Sequence, residues 1–348
     1  MNTPAVNRRT FAYITTGSVA SLALPVLWAQ SRPTKTKVAI AVTNKAALYY
    51  LPLTITEQLG YFRAEGLEVE IIDLAHSVLT SPELASGTID VVSGDYAQTI
   101  ELQSRGQNFQ AFVLQGRAPA VAMGILPKAI PGYRSLADLR GKRIGVSAAG
   151  SASHRLVNLT LARVGLTPGD VSFIDVGSAG AAWNAVRAGQ IDALSNVDPV
   201  MTLLEQKGDI RIIADARTLK GSLDIFGGPM PAGCLYASID FIQKNRNTVQ
   251  ALTSAMAHGL KWLQTAGPSD IIKTVPEAYM LGDRAVYLGA FNRVRETISP
   301  DGLMPEEGPR NAVRVLASVD QTIRAANIDL AKTYTNQFAS KARERFSA

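Results

Sequence analysis

The sequence has few of the residues that thiol and metal chemistry need, with one cysteine, Cys234, and three histidines among 348 residues. A disulfide framework, zinc fingers and iron-sulfur clusters held by several thiolates are therefore excluded. The sequence also contains no P-loop, no His-Glu-x-x-His zinc motif, no Gly-x-Ser-x-Gly elbow and no Gly-x-Gly-x-x-Gly fingerprint. We predict no metal and no cofactor, and these absences favour binding over catalysis.

Charge of either sign is also sparse, since Asp, Glu, Lys and Arg make up 18% of the chain. The 35 Lys and Arg exceed the 29 Asp and Glu by a small margin that is spread along the chain, for a formal net charge of +6. A diffuse excess of this kind does not follow a phosphate backbone, so nucleic acid is not a predicted partner. The 47% hydrophobic content predicts a folded chain, long enough for about two domains.

Residues 1–29 are predicted to be an export signal. Arg8 and Arg9 precede an apolar run, Phe11 to Ala29, that is diluted by Thr, Ser and Gly. The pair resembles the twin-arginine export motif, which implies a periplasmic protein that begins near Gln30. The alternative is an uncleaved membrane anchor, because a span needs about 20 residues. No cysteine follows the run, so a lipid anchor is not predicted.

A repeat indicates the architecture. Gly87-x-Ile89-Asp90 recurs as Gly189-x-Ile191-Asp192, and each copy follows a pattern of strand, helix, Gly-Leu and strand. Alternating strands and helices predict mostly parallel sheets with right-handed crossovers. The predicted fold class is therefore α/β, with two doubly wound lobes and a ligand cleft at the carboxyl ends of their strands.

The boundaries of the lobes follow from two stretches rich in Gly and Pro, Gly116 to Pro119 and Gly227 to Gly233, which we interpret as crossings. Lobe 1 is predicted to comprise residues 36–118 and 232–348, and lobe 2 residues 119–231. From Ile239 onward the chain is predicted to be helical. An apolar stripe there, with a spacing of three or four residues, is interpreted as core packing: Val249, Leu252, Met256, Leu260 and Leu263.

The loop from Ser147 to His154 is the strongest candidate for a binding element. It lies between a predicted strand and a helix, so free N–H groups at Ser151, Ala152 and Ser153 together with serine hydroxyls suit an anion. The alternative is that one of these serines only caps the helix. His154 is either a ligand contact, which in an enzyme would act as a general base, or a residue that only hydrogen-bonds locally or caps the helix.

Other candidates follow predicted strands of lobe 1. Asn44, Lys45, Tyr49 and Tyr50 come after the first strand, where the tyrosine pair is predicted to form a wall for an organic ligand. Lys45 is alternatively a solvated residue.

Ser93 and Asp95 end a strand, as Asp198 does in the second copy, and each Asp is either a ligand contact or an N-cap. Gln115 and Arg117 lie at the first crossing, where Arg117 either clamps an anion or pairs with a surface acid.

Phe226 and Gly227, at the second crossing, complete the predicted ligand-binding set. Cys234 is predicted to be buried and inert, in a strand.

Several further motifs follow one another along the chain. They are Gly60-Tyr61-Phe62, Glu65-Gly66-Leu67-x-Val69-Glu70, both Gly-x-Ile-Asp copies, Ser135-Leu136-x-Asp138-Leu139-x-Gly141-Lys142-x-Ile144-Gly145-Val146 and Asp198-Pro199. Together they resemble one family, the periplasmic solute-binding proteins of ABC importers for nitrate, taurine and aliphatic sulfonates. The resemblance implies the type II periplasmic binding protein fold, a small anionic ligand in the cleft and an ABC permease as partner. We also expect a monomer. Sulfonate, carboxylate and nitrate remain open as the anionic group.

The same family includes enzymes, the thiamin-pyrimidine synthases and the aromatic desulfinases. A desulfinase needs a cysteine that faces the cleft, and the predicted cleft loops contain none. The sequence also lacks the cysteine-rich motif of the pyrimidine synthases. A binding protein is therefore the preferred interpretation, with an enzyme of the same fold as the alternative.

Overall fold

The computed structural model describes Met1 and residues 32–74, 77–177 and 179–346. The predicted export signal and His76 lie outside the described residues. No helix within these ranges is long and apolar enough to cross a membrane.

Ten strands in the described ranges form two five-stranded sheets. The first sheet has the order β2-β1-β3-β10-β4 and the second β7-β6-β8-β5-β9. The strands are β1 (Lys37–Thr43), β2 (Glu68–Leu74), β3 (Val91–Asp95), β4 (Phe109–Leu114), β5 (Val121–Ile125), β6 (Arg143–Val146), β7 (Ser172–Asp175), β8 (Ala193–Val197), β9 (Arg211–Asp215) and β10 (Gly233–Ser238).

Both sheets are mixed. In the first sheet β2, β1 and β3 pair in parallel, and β10 is antiparallel to its neighbours β3 and β4. In the second sheet β7, β6 and β8 pair in parallel, and β5 is antiparallel to its neighbours β8 and β9. β10 and β5 are each the first strand after a crossing, so each enters its sheet from the direction opposite to the crossover strands. The central strands β3 and β8 are buried at every residue, as a strand covered on both faces requires.

The repeated Gly-x-Ile-Asp motif has the same structural role in both sheets. The carboxylate of Asp90 accepts the N–H of Ala39 at 3.0 Å, and that of Asp192 accepts the N–H of Arg143 at 2.8 Å. Each Asp therefore fastens the start of its strand to the neighbouring parallel strand, β1 or β6. A basic residue pairs with each, Lys35 with Asp90 at 2.5 Å and Arg143 with Asp192 at 2.7 Å.

Fourteen α-helices in the described ranges cover the sheets. They are α1 (Leu51–Gln58), α2 (Tyr61–Ala64), α3 (Pro82–Ser86), α4 (Ala97–Ser104), α5 (Ala152–Ala162), α6 (Ala179–Arg187), α7 (Val200–Gln206), α8 (Leu219–Phe226), α9 (Ile239–Lys244), α10 (Arg246–Thr265), α11 (Pro268–Thr274), α12 (Arg284–Val294), α13 (Gly308–Val319) and α14 (Gln337–Phe346). The apolar stripe predicted for residues 249–263 lies on α10. Its five side chains are all buried, which confirms the core interpretation.

The two stretches interpreted as crossings lie side by side. The N–H of Gly116 donates to the carbonyl of Gly233 at 2.9 Å, and the N–H of Ala232 donates to the carbonyl of Gly116 at 2.9 Å. The first crossing joins β4 to β5, and the second joins α8 to β10, so each leads from one sheet to the other. The division into lobes 36–118 with 232–348 and 119–231 stays a prediction.

Candidate functional site

A cavity of about 50 Å³ lies where loops from the two sheets meet. The loops that form it follow β1, β3, β6 and β8, which is the carboxyl end of each strand, so its place is the one expected for a ligand of an open α/β sheet. The lining is rich in hydroxyl groups: Thr43, Asn44, Ala47, Tyr49, Tyr50, Ser77, Val78, Ser93, Gly94, Asp95, Gln98, Ser147, Ala148, Ala149, Ser151, Ala152, Ser153 and Val197.

One wall of the cavity is the start of α5. Ser151 is the N-cap, since its hydroxyl accepts the N–H of His154, and it also lies 2.8 Å from the hydroxyl of Ser153. Ser153 in turn accepts the N–H of Ser147 at 2.9 Å. The N–H groups of Ala152 and Ser153 belong to the first helical turn, which has no intrahelical acceptor for them. This wall therefore offers neutral donors and the positive end of a helix dipole.

The facing wall carries two tyrosines. The rings of Tyr49 and Tyr50 meet edge to face with centroids 4.9 Å apart, and the hydroxyl of Tyr49 donates to Asp95 Oδ2 at 3.0 Å. Burial, with the nearby Asp95 carboxylate, raises the pKa of both phenols well above the ordinary value. Both hydroxyls thus stay protonated at physiological pH and act as donors.

An ion-pair cluster behind this wall joins the two sheets, and we call it the Arg155 cluster: Arg155, Asp95 and Glu101. Arg155 of α5 lies 2.8 Å from Asp95 Oδ2, at the end of β3, and 2.8 Å from Glu101 Oε1 in α4. It also donates to the carbonyl of Gly150 at 2.6 Å. Its side chain is only 5% exposed. The guanidinium therefore neutralises the one carboxylate that lines the cavity.

The Arg155 cluster was not found from the sequence, since its acids come from two elements distant in sequence from α5, Asp95 from β3 and Glu101 from α4. Gln98 is a further lining residue that the sequence did not single out, and Ser147, the first residue of the predicted binding loop, also lines the cavity. The carbonyl oxygen of Gln98 accepts the N–H of Asp95 at 3.1 Å and the hydroxyl of Tyr236 at 3.0 Å. Its position three residues after Asp95, in the loop and helix that follow β3, is the signal that could have identified it.

Eight residues of the predicted set line the cavity. They are Asn44, Tyr49, Tyr50, Ser93, Asp95, Ser151, Ala152 and Ser153.

Lys45 and Arg117 do not line the cavity, because both side chains have partners elsewhere. Lys45 pairs with Glu57 at 2.6 Å, and Arg117 donates through Nε to the carbonyl of Glu296 at 2.9 Å. A paired cation is more stable there than one pointed into a small cavity. Among the described lining residues, none is a Lys or Arg.

His154 and Gln115 also lie outside the cavity. His154 accepts the N–H of Gly150 through Nδ1 at 3.1 Å, and its ring packs edge-on against Phe173. Burial, followed by the charge of Arg155, lowers its pKa, which keeps the imidazole neutral. The buried Gln115 donates to the hydroxyl of Ser93 at 2.9 Å, so it supports a lining residue from behind.

Asp198 serves the fold and not the cavity. Its carboxylate accepts the N–H of Thr202 at 2.8 Å, so it stabilises the start of α7, which is the capping alternative named for it. Burial raises its pKa, and Arg217, 3.9 Å away, opposes that effect. Val197, the preceding residue, is the one that lines the cavity.

Phe226 and Gly227 lie away from the cavity as well. The carbonyl of Phe226 accepts a hydrogen bond from Arg314 at 2.7 Å, and Gly227 ends α8 with a positive φ of 67°. A left-handed residue at a helix end explains the glycine by backbone geometry. The structure therefore places both residues outside the cavity lining.

Cys234 is fully buried in β10, as predicted, and does not line the cavity. Burial, with the nearby Asp95, raises the pKa of its thiol well above the ordinary value. The thiol is therefore protonated and poorly nucleophilic. Within the described ranges no group of His, Cys, Asp and Glu side chains suits a metal ion.

Comparisons with known proteins add a family profile described as NMT1/THI5 like, which matches residues 47–268. A solved structure from Bordetella bronchiseptica RB50 is 49% identical, with a TM-score of 0.89, over 91% of this chain and all of that one. The alkanesulfonate-binding protein SsuA from Xanthomonas axonopodis pv. citri, bound to MOPS, is 18% identical, with a TM-score of 0.65, over 87% and 99% of the two chains.

A curated relative is an enzyme by name, the 4-amino-5-hydroxymethyl-2-methylpyrimidine phosphate synthase of Schizosaccharomyces pombe (strain 972). It is 26% identical over 141 residues, 40% of either chain. The structural likeness confirms the predicted α/β fold with two sheets, that of periplasmic binding proteins.

Proposed function

The chain belongs to the NMT1/THI5-like family, and on that premise we propose that it is the solute-binding component of an ABC importer, which captures a small organic anion between two closing lobes. The observation that carries the proposal is the cavity itself. It is lined by loops of both sheets, with hydroxyl groups and helix-start N–H donors on one side. On the other side the Tyr50 hydroxyl is the available donor, because the Tyr49 hydroxyl already donates to Asp95. The acid of the cavity, Asp95, is already neutralised by Arg155.

The size of the cavity limits the ligand. A buried water needs about 10–15 Å³ of such space, so a volume of about 50 Å³ holds about four water-sized groups. This favours a compact anionic group such as nitrate, a carboxylate or the head of a sulfonate. The sulfonate bound to the Xanthomonas relative supports an acid of that kind.

A thermal-shift screen of the mature protein tests the proposal. The panel contains nitrate, short alkyl sulfonates, taurine, aryl sulfonates and aromatic carboxylates. A ligand at 100 times its Kd adds about 2.7 kcal/mol to the free energy of unfolding. We expect at least one compact anion to raise the melting temperature, while matched alkylammonium ions do not. Stabilisation by the cations alone would contradict the proposal.

The proposed site of action rests on the predicted export signal, residues 1–29. We infer that a twin-arginine signal delivers the folded chain to the periplasm, where it works as a monomer and passes its ligand to the permease. Changing Arg8 and Arg9 together to Lys is expected to retain the protein in the cytoplasm, measured by cell fractionation. Normal export of that double variant would contradict the twin-arginine assignment.

An enzyme of the same fold is the second candidate, and the named pyrimidine phosphate synthase among the relatives is what favours it. Against it, Cys234 is buried outside the cavity. Of the histidines that the structure describes, His154 packs on Phe173 and His258 stacks on Tyr61, so neither lines the cavity. Turnover by the pure protein of an aryl sulfinate or a pyrimidine precursor would favour the enzyme.

A further inference from the structure

A second concave surface lies at the far end of the second sheet. It measures about 680 Å³ and is formed beside Trp183 of α6, and we call it the Trp183 groove. Arg143 begins β6 and Ile191 precedes β8, so the groove lies at the amino ends of the parallel strands. The cavity is formed by loops at their carboxyl ends. The two sites are therefore on opposite edges of the sheet and can be occupied independently.

The floor of the Trp183 groove is apolar. Leu126, Val186 and Ile191 line it and are buried, and the half-buried indole of Trp183 forms one side. A smaller concavity of about 430 Å³ shares Trp183 and Lys207 with it, so the indole stands between two open spaces. Small-molecule sites have volumes of about 300–1,000 Å³ and apolar walls with a few polar groups.

The rim of the groove is positively charged. Lys128, Arg143, Arg187 and Lys207 line it, against one acid, Asp209. Arg143 is paired with Asp192. In the part of the chain that the structure describes, no carboxylate pairs with the side chains of Lys128, Arg187 or Lys207. Lys207 Nζ lies 5.3 Å from the Trp183 ring centroid and Arg187 Cζ lies 6.0 Å from it.

We propose that the Trp183 groove is a second binding site, which takes an organic anion with an aromatic body. The ring stacks on Trp183 or packs on the apolar floor, and the anionic group is held by Arg187, Lys207 and Lys128. Unpaired cations around an indole favour such a molecule over a neutral one, because the anion supplies the charge that the rim lacks. The floor favours it over an inorganic anion, because only an organic body covers the apolar surface.

The test uses the mature chain with Trp262→Phe, which leaves Trp183 as the only tryptophan after residue 29. Trp183 fluorescence and calorimetry are recorded with three probes: 3-phenylpropionate, 3-phenylpropylammonium and acetate. We expect 3-phenylpropionate to bind and to change the Trp183 emission. The ammonium analogue lacks the negative charge and acetate lacks the aromatic body, so neither is expected to bind.

Variants locate the binding. Arg187→Gln with Lys207→Gln is expected to raise the Kd for 3-phenylpropionate about tenfold or more, since each removes a charged contact. Both side chains are exposed, so the fold is retained. Arg310→Gln, an exposed cation on α13, is the matched control and is expected to leave the Kd unchanged.

Ser151→Ala with Ser153→Ala, in the cavity, is also expected to leave the Kd unchanged. This separates the second site from the proposed function. Equal binding of the ammonium analogue, or an unchanged Kd in the Arg187 and Lys207 double variant, would overturn the proposal.

Discussion

Ser153 is 1% exposed, and its hydroxyl hydrogen-bonds with the hydroxyls of both Ser147 and Ser151. It therefore stabilises the cavity wall as well as lining the cavity. Ser151→Ala with Ser153→Ala removes the N-cap, a loss of about 1 kcal/mol, and leaves the N–H of Ser147 without its acceptor. We expect this double variant to weaken ligand binding at least about tenfold by calorimetry. Its free energy of unfolding should also fall, measured by urea titration.

Ser238→Ala is the matched control for that variant. Ser238 caps α9 by accepting the N–H of Phe241 at 3.1 Å, and it does not line the cavity. It should lose a similar cap energy while ligand affinity stays at the wild-type value. If affinity in the double variant is unchanged, the start of α5 is only a helix cap.

Glu101 is expected to make the stability of the fold depend on pH. Burial is the main reason that its pKa is raised, although Arg155 opposes the shift. An acid with a raised folded pKa contributes stability that is fully present below its unfolded pKa of about 4.3 and is lost as pH rises through the folded value. Glu101→Gln should remove this component, so the variant's melting temperature should fall less than wild type as pH rises from about 4.

Glu277→Gln serves as the control, since Glu277 pairs with Arg284 on the surface, with its side chain 79% exposed. It should keep the wild-type pH profile. Parallel profiles for Glu101→Gln and wild type would show that Glu101 titrates with its ordinary pKa.

At the scale of elements, the two copies of Gly-x-Ile-Asp predict matched losses. Asp90→Ala and Asp192→Ala each remove a carboxylate that accepts a strand N–H. Each is expected to cost about 1–3 kcal/mol of unfolding free energy. The sites are in different sheets, so the double variant should show the sum. Denaturant titration measures this, with Asp240→Ala on exposed α9 as control. A loss of unfolding free energy in only one of the two variants would mean that the two copies of the motif do not stabilise their sheets equally.

These elements also show what the sequence could reveal. The parallel strands, α10 and the carboxyl-end loops were predictable because hydrophobic period and turn residues are local signals. The antiparallel placement of β10 and β5 was not, since pairing is decided by the route of the crossing. Likewise Arg155 and Glu101 are 54 residues apart, so no local pattern connects them. Lys45 and Arg117 were assigned by their places after the first strand and at the first crossing, but their partners come from other elements.

For the molecule as a whole, we expect compaction when the cavity is filled. A ligand that contacts the start of α5 and the tyrosine wall interacts with both sheets only in the closed form, so it shifts the population toward that form. Small-angle scattering should give a smaller radius of gyration with the compact anion from the thermal-shift screen at saturation. The Ser151 and Ser153 double variant, at the same anion concentration, should not change. Equal radii for free and saturated wild type would exclude closure.

The hydrogen bond from Arg314 to Phe226 has a consequence for how solutes reach the cavity. Through it, α13 is attached to the end of α8, and the same helix packs against both α4 and α5. A helix held on both sides restricts how far the two sheets can separate before that bond must break. A wide separation of the sheets therefore has to break this hydrogen bond first, and a small one does not. Bulky solutes would be rejected at the entrance, and among solutes of equal affinity the smaller should enter and leave faster.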